Sequence, residues 1–305
     1  MRTEAPYEEL RPLLFSIAYR MIGSVSEAED IVQEAFLRIH RAEAEGMRIE
    51  SPKAYLSAVT TRLSIDHLKS ARVRREQYVG QWLPEPLLTD ASSPDAAAHA
   101  ETADSLSMAF LVLLESLTPV ERAVFLLREV FDYGYDEIAR IVDRTEDNSR
   151  QLYVRARRHV DEGRPRFEAS RKQRDELVER FFAAAERGDL TALEEMLAAD
   201  VVVYGDGGGK APSWPQPIYG RERVAKLIAG TLKQAKDVGV TFRAVHINGQ
   251  PGVVFLDEDR IGAVMSVDVA DGLVQTIRGV TNPDKLEHLG PVADAREVLR
   301  RHRSA

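Results

Sequence analysis

The chain has 305 residues, 44% hydrophobic and 30% charged, a length that suits two or three domains rather than a single core. It contains no cysteine, which excludes disulfides, thiolate–zinc sites and redox-sensing thiols. No apolar run approaches the roughly 20 residues that span a bilayer, and MRTEAPYEEL lacks the order of a signal peptide, so the chain is expected in the cytoplasm and not in a membrane.

The net charge of −8 hides a segregation of charge. Residues 53–76 hold six Lys/Arg against two Asp/Glu and residues 147–166 six against three, whereas residues 81–116 hold six acidic residues and no Lys or Arg. Two basic segments flanking an acidic one fit nucleic-acid contact, and fit solvated helix faces equally well.

Residues 1–80 read as helices. Leu14, Ile17, Ala18 and Met21 share a face that stops near Gly23. Ser26 and Glu29 have capping-box spacing for a second helix, on which Ala28, Ile31, Val32, Ala35, Phe36 and Ile39 follow the 3.6-residue period. Its opposite face carries Asp30, Gln33 and Glu34, with Leu37 among them. Ser51 and Pro52 supply an N-cap and a first-turn proline for a long helix to Arg75. Residues 81–98, with three prolines and no helical period, read as a linker.

Residues 99–168 form a second helical block. Ala103, Leu106, Phe110, Leu113 and Leu117 line one face, and Thr118, Pro119 and Glu121 open the next helix with cap, proline and capping-box glutamate together. YDEIARIVDRTEDNSRQLYVRARRHV, residues 135–160, is the strongest motif. Ile138, Ala139 and Val142 give a first helix its inner face, Asp143–Arg144 make a turn, and Thr145 caps a second helix. On that helix Ser149, Leu152, Tyr153, Ala156 and Val160 fall on one side, and Asp147, Gln151, Val154 and Arg158 opposite, flanked by Arg150, Arg155 and Arg157. A helix apolar inside and Arg/Gln-rich outside, after a three-residue turn, suits a major groove. Asp143 stands where such turns often have glycine, and aspartate tolerates the left-handed conformation better than most residues.

From about Arg171 the pattern changes. Two helices flank Gly188–Asp189, and VVVY, a glycine loop and a helix across residues 221–236 follow. VTFRAVHI, GVVFL, IGAVMSVDV and LVQTIRGV then read as consecutive strands, with turns at Asn248–Gly249 and Asp271–Gly272. This is an α+β layer over residues 171–290 with a tail of residues 291–305.

AYRMIGSVSEAEDIVQEAFLRIH, SPKAYLSAVTTRLSIDHLKSARVRRE and LTPVERAVFLLREVFDYGYDEIARIV, with the helix that follows, resemble the extracytoplasmic-function group of sigma-70 factors. The resemblance implies an all-α region 2 over residues 1–80 and an all-α region 4 over residues 99–168, with core RNA polymerase and promoter DNA as partners. It implies that Asp30, Gln33, Glu34 and Leu37 meet the polymerase clamp. Arg48, Lys53, Arg62, Lys69 and Arg72 would face the non-template strand of the minus-ten element, although Arg62 could pair with Asp66 instead. Arg150, Gln151, Arg155 and Arg158 would read the minus-thirty-five element. Trp82-Leu83-Pro84-Glu85-Pro86, Asp206-Gly207-Gly208-Gly209-Lys210 and Asn282-Pro283-Asp284-Lys285-Leu286 resemble the SigJ-type subgroup, whose fused, cone-shaped SnoaL-like domain implies regulation in cis. In that reading the glycine loop contacts the linker, Trp82 packs and Lys210 faces Glu85.

The alternatives concern the C-terminal domain, which could sense a small ligand or be an isomerase or cyclase. Asp206, Tyr204 and His246 are the candidate acid–base residues, and a histidine within a strand is more often structural. DGGGK fails as a phosphate loop, because no Ser or Thr follows Lys210 and Pro212 obstructs a helix start. The seven histidines are scattered, so no metal or other cofactor is expected.

Overall fold

The structure, a computed structural model, describes residues 7–89, 103–163 and 170–304, without the side chains of residues 71–76, 103–104, 299 and 302–304. Its contacts divide the chain into two compact units, Met1–Glu76 with Leu111–Arg164 and Gln77–Phe110 with Pro165–Ala305.

The first unit is helical. Helices α1 (Arg11–Ile22), α2 (Val25–Ala44) and α3 (Pro52–Glu76) bury Leu14, Val32, Ala35, Ile39, Leu56 and Val59 against one another. Helix α2 starts earlier than the Ser26 spacing predicts: Ser24 is the cap and accepts from the Glu27 amide at 3.3 Å. That earlier start brings Val25 into the helix, where it is buried. Ser51 caps α3 as expected, accepting from Ala54 N at 3.3 Å.

The single helix predicted across residues 103–117 is broken. Ser107 is fully buried between α4 (Ala103–Leu106) and α5 (Met108–Leu114), and its hydroxyl caps α5 by accepting from Phe110 N at 3.2 Å. Helix α6 (Pro119–Glu129) begins with the predicted capping box of Thr118 and Glu121. Arg122 is buried on α6, donating to the Met21 carbonyl at 2.6 Å and to Glu115 at 2.8 Å, and its burial pulls its pKa down to about 9.

Helices α7 (Tyr135–Val142) and α8 (Glu146–Gly163) form the helix-turn-helix. Between them Asp143 takes the left-handed conformation at φ 55°, and Thr145 accepts from Asn148 N at 3.2 Å as the predicted cap.

The second unit is α+β. Helices α9 (Arg171–Arg187), α10 (Leu190–Met196) and α11 (Arg221–Asp237) accompany β1 (Leu197–Asp206), β2 (Ile218–Tyr219), β3 (Thr241–Ile247), β4 (Gln250–Asp257), β5 (Arg260–Ala270) and β6 (Leu273–Val280). A last helix, α12, spans Ala295–Ser304. The four predicted strands form an antiparallel meander β3–β4–β5–β6, and β1 joins it in parallel beside β6, giving the order β2-β1-β6-β5-β4-β3. Asn248–Gly249 and Asp271–Gly272 all have positive φ, as two-residue hairpin turns require. Val203, Val253, Phe255, Met265, Val267 and Ile277 point to the helix-packed face of the sheet and join Phe181, Phe182 and Ile228 in one core. The strand alternation therefore sends Tyr204, Asp206, Ser266, Asp268 and Arg278 to the other face.

One consequence is testable at the turn between α7 and α8. Asp143 carries the left-handed backbone without the freedom of glycine. Asp143→Gly should raise the stability of the helical unit by about 0.5–1 kcal/mol in urea unfolding. An unchanged or lower midpoint would mean that the aspartate side chain itself holds the turn.

Candidate functional site

The polar groups of the second unit converge where the linker meets the sheet. Leu83 is buried at 3% exposure, so its backbone N–H and C=O both need partners. Asp206 Oδ2 accepts from Leu83 N at 2.8 Å, and Lys285 Nζ donates to the Leu83 carbonyl. The two side chains are themselves paired at 2.7 Å, with Asp206 fully buried and Lys285 at 8% side-chain exposure. The second carboxylate oxygen, Asp206 Oδ1, accepts from Tyr78 OH at 2.5 Å and from Gly208 N at 3.1 Å. Burial and the Asp206 carboxylate push the Tyr78 hydroxyl far above its ordinary range, so it stays a donor. Asn282 Nδ2 donates to Tyr78 Oη at 2.9 Å, and the Lys285 ammonium lies 4.4 Å from the Trp82 ring centre and 4.9 Å from that of Tyr78.

The rest of the linker lies along the same unit. Pro84, Glu85 and Pro86 are buried, and His288 Nε2 donates to the Pro86 carbonyl at 2.8 Å. Beyond them the chain pairs with the open edge of β3. Leu88 bridges Ile247, Thr89 N donates to the His246 carbonyl at 2.9 Å, and Asn248 N donates to the Leu87 carbonyl at 2.8 Å. The buried Asn248 side chain accepts from Leu87 N and donates to the Leu106 carbonyl, both at 3.0 Å. The remainder of the predicted linker, from residue 90, lies outside the described residues.

Three expectations about this contact are corrected. Lys210 does not face Glu85; it pairs with Asp284 at 2.5 Å on the surface, while Glu85 lies 4.0 Å from His288. The glycine amides do not bind the linker, because the Asp206 carboxylate supplies that bond and Gly208 N turns back to Asp206. What the glycines supply is closeness: Gly208 has φ 57°, and a Cβ there would come within 2.3 Å of the Asn282 amide. Leu83, rather than the half-buried Trp82, is the deepest apolar side chain of the motif. Tyr78 and Asn248 escaped sequence reasoning. Tyr78 stands just before the tryptophan motif, and Asn248 was read only as a turn residue.

Helix α8 presents Arg150, Gln151, Val154, Arg155, Arg157 and Arg158 outward, opposite buried Ser149, Leu152, Ala156 and Val160. Each arginine has a carboxylate neighbour: Glu146 for Arg150 at 3.2 Å, Glu121 for Arg155 at 3.4 Å, Asp161 for Arg157 at 3.6 Å and Glu162 for Arg158 at 3.2 Å. Such exposed pairs are worth about 0–1 kcal/mol and yield readily to phosphate. Arg150 also lies over the Tyr135 ring at 4.7 Å, which fixes its direction.

On α2, Asp30, Gln33 and Leu37 are exposed, Leu37 by 50%. Glu34 is half-buried and paired with Arg38 at 2.8 Å, which holds its carboxyl below the ordinary range. Arg48, Lys53 and Lys69 are exposed, Lys69 beside Asp66 at 2.9 Å. Arg62 departs from the expected pairing with Asp66. Its guanidinium is committed to the end of α7, donating to the Arg140 carbonyl at 2.7 Å and the Ile141 carbonyl at 2.9 Å. Those carbonyls end a helix and have no intrahelical partner, so a cation is favoured there. The Arg72 side chain lies outside the described residues.

The candidate acid–base residues do not converge. Tyr204 and Asp206 lie on the sheet face away from the helices, Tyr204 beside Arg278 and Asp206 saturated by the linker contacts. His246 is on the other side, bonded to Asp175 of α9 at 2.9 Å. No group of three or more metal-ligating side chains occurs among the described residues, nor is any described helix long and apolar enough to cross a membrane.

These features coincide with known families. Residues 6–74 match Sigma-70 region 2, residues 107–160 match Sigma-70 region 4, and residues 178–281 match the SnoaL-like domain. The sequence is 36% identical over 290 residues to the ECF RNA polymerase sigma factor SigJ of Mycobacterium tuberculosis, covering 92% of this chain and 91% of the relative. It is 32% identical to the probable ECF sigma factor SigI of the same species, covering 93% and 95%. The crystal structure of M. tuberculosis SigJ superposes with a TM-score of 0.73 at 34% identity, over 92% of this chain and 97% of that one.

The linker contact makes a quantitative prediction. Removing one member of a buried ion pair leaves the other charge uncompensated, at about 3–5 kcal/mol. Asp206→Ala and Lys285→Ala should each destabilise the second unit by that order. The double variant Asp206→Leu/Lys285→Met should lose clearly less than the two single losses combined. Asn248→Gly keeps the turn but removes two side-chain bonds, so Leu87 and Thr89 amides should exchange faster while the β5–β6 amides do not. Strictly additive losses, or unchanged exchange at Leu87, would contradict the contact.

Proposed function

The chain belongs to the extracytoplasmic-function sigma factors that carry a SnoaL-like C-terminal domain, and from that premise we propose that this domain governs the factor in cis by holding its linker. As a sigma factor it directs core RNA polymerase to promoter DNA, and the natural place for that work is the cytoplasm. In this reading α8 enters the major groove of the minus-thirty-five element through Arg150, Gln151, Arg155 and Arg158. Arg48, Lys53, Arg62, Lys69 and Arg72 meet the displaced strand of the minus-ten element, Arg62 after release from the end of α7. Asp30, Gln33, Glu34 and Leu37 meet the polymerase clamp.

The observation that carries the regulatory reading is the buried Asp206–Lys285 pair closed around the backbone of Leu83. Docking the linker on the second unit shortens the free chain between α3 and α5, and so limits the spacings that the two promoter-binding regions can reach. Full docking restrains the factor, and complete loss of the domain impairs it. A catalytic role for the domain has less support. Tyr204, Asp206 and His246 do not share a site, and Trp214 packs over Gly205 and Gly279 on the helix-packed face, where an enzyme would keep space for substrate.

Run-off transcription with core polymerase tests the whole reading. The intact chain should direct initiation. A folded Arg150→Ala/Arg155→Ala/Arg158→Ala variant should lose promoter selection, each base-reading arginine contributing about 1–3 kcal/mol on the matched site. Charge reversal at Asp30 and Glu34 should weaken polymerase binding and leave the fold intact. Asp206→Ala should change promoter output, and truncation near Arg171 should lower it. If both of these transcribe like the intact protein, the domain is no regulator of the factor.

A further inference from the structure

Val154 sits near the middle of the outward face of α8 and exposes 64% of its surface. Folding gains little from it there. A β-branched side chain lowers helix propensity, and a side chain exposed to this extent buries little apolar area. Every arginine around it is engaged with a carboxylate, whereas Gln151, one turn earlier on the same face, makes no hydrogen bond among the described residues. The helical repeat puts Gln151 and Val154 side by side, with Arg150, Arg155 and Arg158 framing them in positive charge. An apolar group at the centre of a cationic face is poorly placed for a protein partner, whose buried patch would have to desolvate the surrounding guanidinium groups. It is well placed against DNA, whose phosphates take the arginines and whose major groove offers one apolar group, the thymine 5-methyl.

Resting on the reading of α8 as the promoter helix, we propose that Val154 is a specificity residue that covers a thymine methyl, while Gln151 beside it reads adenine. The pair would thus select an A·T-containing step within the minus-thirty-five element. The arginines supply affinity and register, and this step supplies discrimination that charge cannot provide.

The test uses the full chain assembled with core RNA polymerase. Binding sites are first selected from duplexes randomised across the minus-thirty-five element. Each dT of the selected site is then replaced singly by dU, which keeps every hydrogen-bonding group and removes only the methyl. One such replacement should weaken wild-type binding roughly three- to ten-fold, the scale of one or two buried methyl groups. Val154→Ala should bind the dT and dU sites alike, and Val154→Thr, which keeps one methyl, should retain part of the difference. Val154→Ala should melt no lower than wild type, because alanine is the better helix former. Wild-type binding that ignores every dU replacement, or a dU penalty that persists in Val154→Ala, overturns the proposal. So does a loss of transcription in Val154→Ala with unchanged site preference, which would indicate a protein contact. If the triple arginine variant leaves selection unaltered, the reading of α8 fails and the Val154 assignment with it. If that variant destroys selection while uracil is silent, only the Val154 assignment fails.

Discussion

One buried ion pair sets the conformation of the linker. A strand segment usually satisfies its backbone against another strand, but at Leu83 a carboxylate accepts from the N–H and an ammonium donates to the carbonyl. The pair acts as a two-pronged substitute for a neighbouring strand. Desolvating Asp206 and Lys285 is expensive, and Tyr78, Gly208 and the rings of Tyr78 and Trp82 offset that expense. Such an arrangement is stable only when complete. On the proposed reading, pulling the linker away strips Leu83 and Trp82 from both charges together, which makes undocking cooperative rather than gradual. That is the physical property required of a switch.

Residues Leu87 to Thr89 convert this local bond into an oriented segment. β3 is the edge of the six-stranded sheet, and an open edge invites pairing with another chain. The bridge of Leu88 to Ile247 and the two backbone bonds, Thr89 to His246 and Asn248 to Leu87, cover part of that edge. The Asn248 side chain then ties Leu87 and Leu106 to one turn. The entry to the linker at Leu83 and the helix beyond residue 102 are thereby both referred to the same sheet. The described part of the linker, to Thr89, is held by the second unit, although the sequence reads as a tether between helical regions.

What the sequence disclosed follows the range of the interactions. Thr118 with Glu121, Ser51 with Ala54, Thr145 with Asn148 and the left-handed Asp143 all lie within four residues of their partners, and each was legible. The β3–β6 meander was legible from alternation and its turn pairs. Ser26 misled because Ser24 offers the same hydroxyl and its use makes Val25 helical. Ser107 was invisible as a break because the apolar period continues through it. Lys210 was matched with Glu85 on charge alone, but many carboxylates could have served, and Asp284 lies nearer in the fold. Arg62 shows the same limit: its partners are backbone carbonyls at the end of another helix, which no side-chain pattern announces. The motifs carried by Asp206, Asn282 and Leu83 were each visible, but the order in which they bond depends on how the sheet brings residues some 80 to 200 positions apart together.

On the proposed reading, the two faces of the sheet suit the domain to holding a peptide segment. The helix-packed face spends its area on apolar packing, with Trp214 over Gly205 and Gly279, whose missing side chains make room for the ring. Of the polar residues that alternation assigns to the opposite face, Asp206 is bound by the linker, and Asp268 pairs through one oxygen with Arg278, which also borders Tyr204, while Asp268 Oδ1 has no hydrogen-bond partner among the described residues. A general base needs a lone pair free to accept a substrate proton. Asp206 instead receives four donors, from Tyr78, Leu83, Gly208 and Lys285, so both of its oxygens are engaged. On the proposed reading, the same carboxylate that would be a poor base is a good clasp, because both of its oxygens are already occupied by Leu83, Tyr78, Gly208 and Lys285.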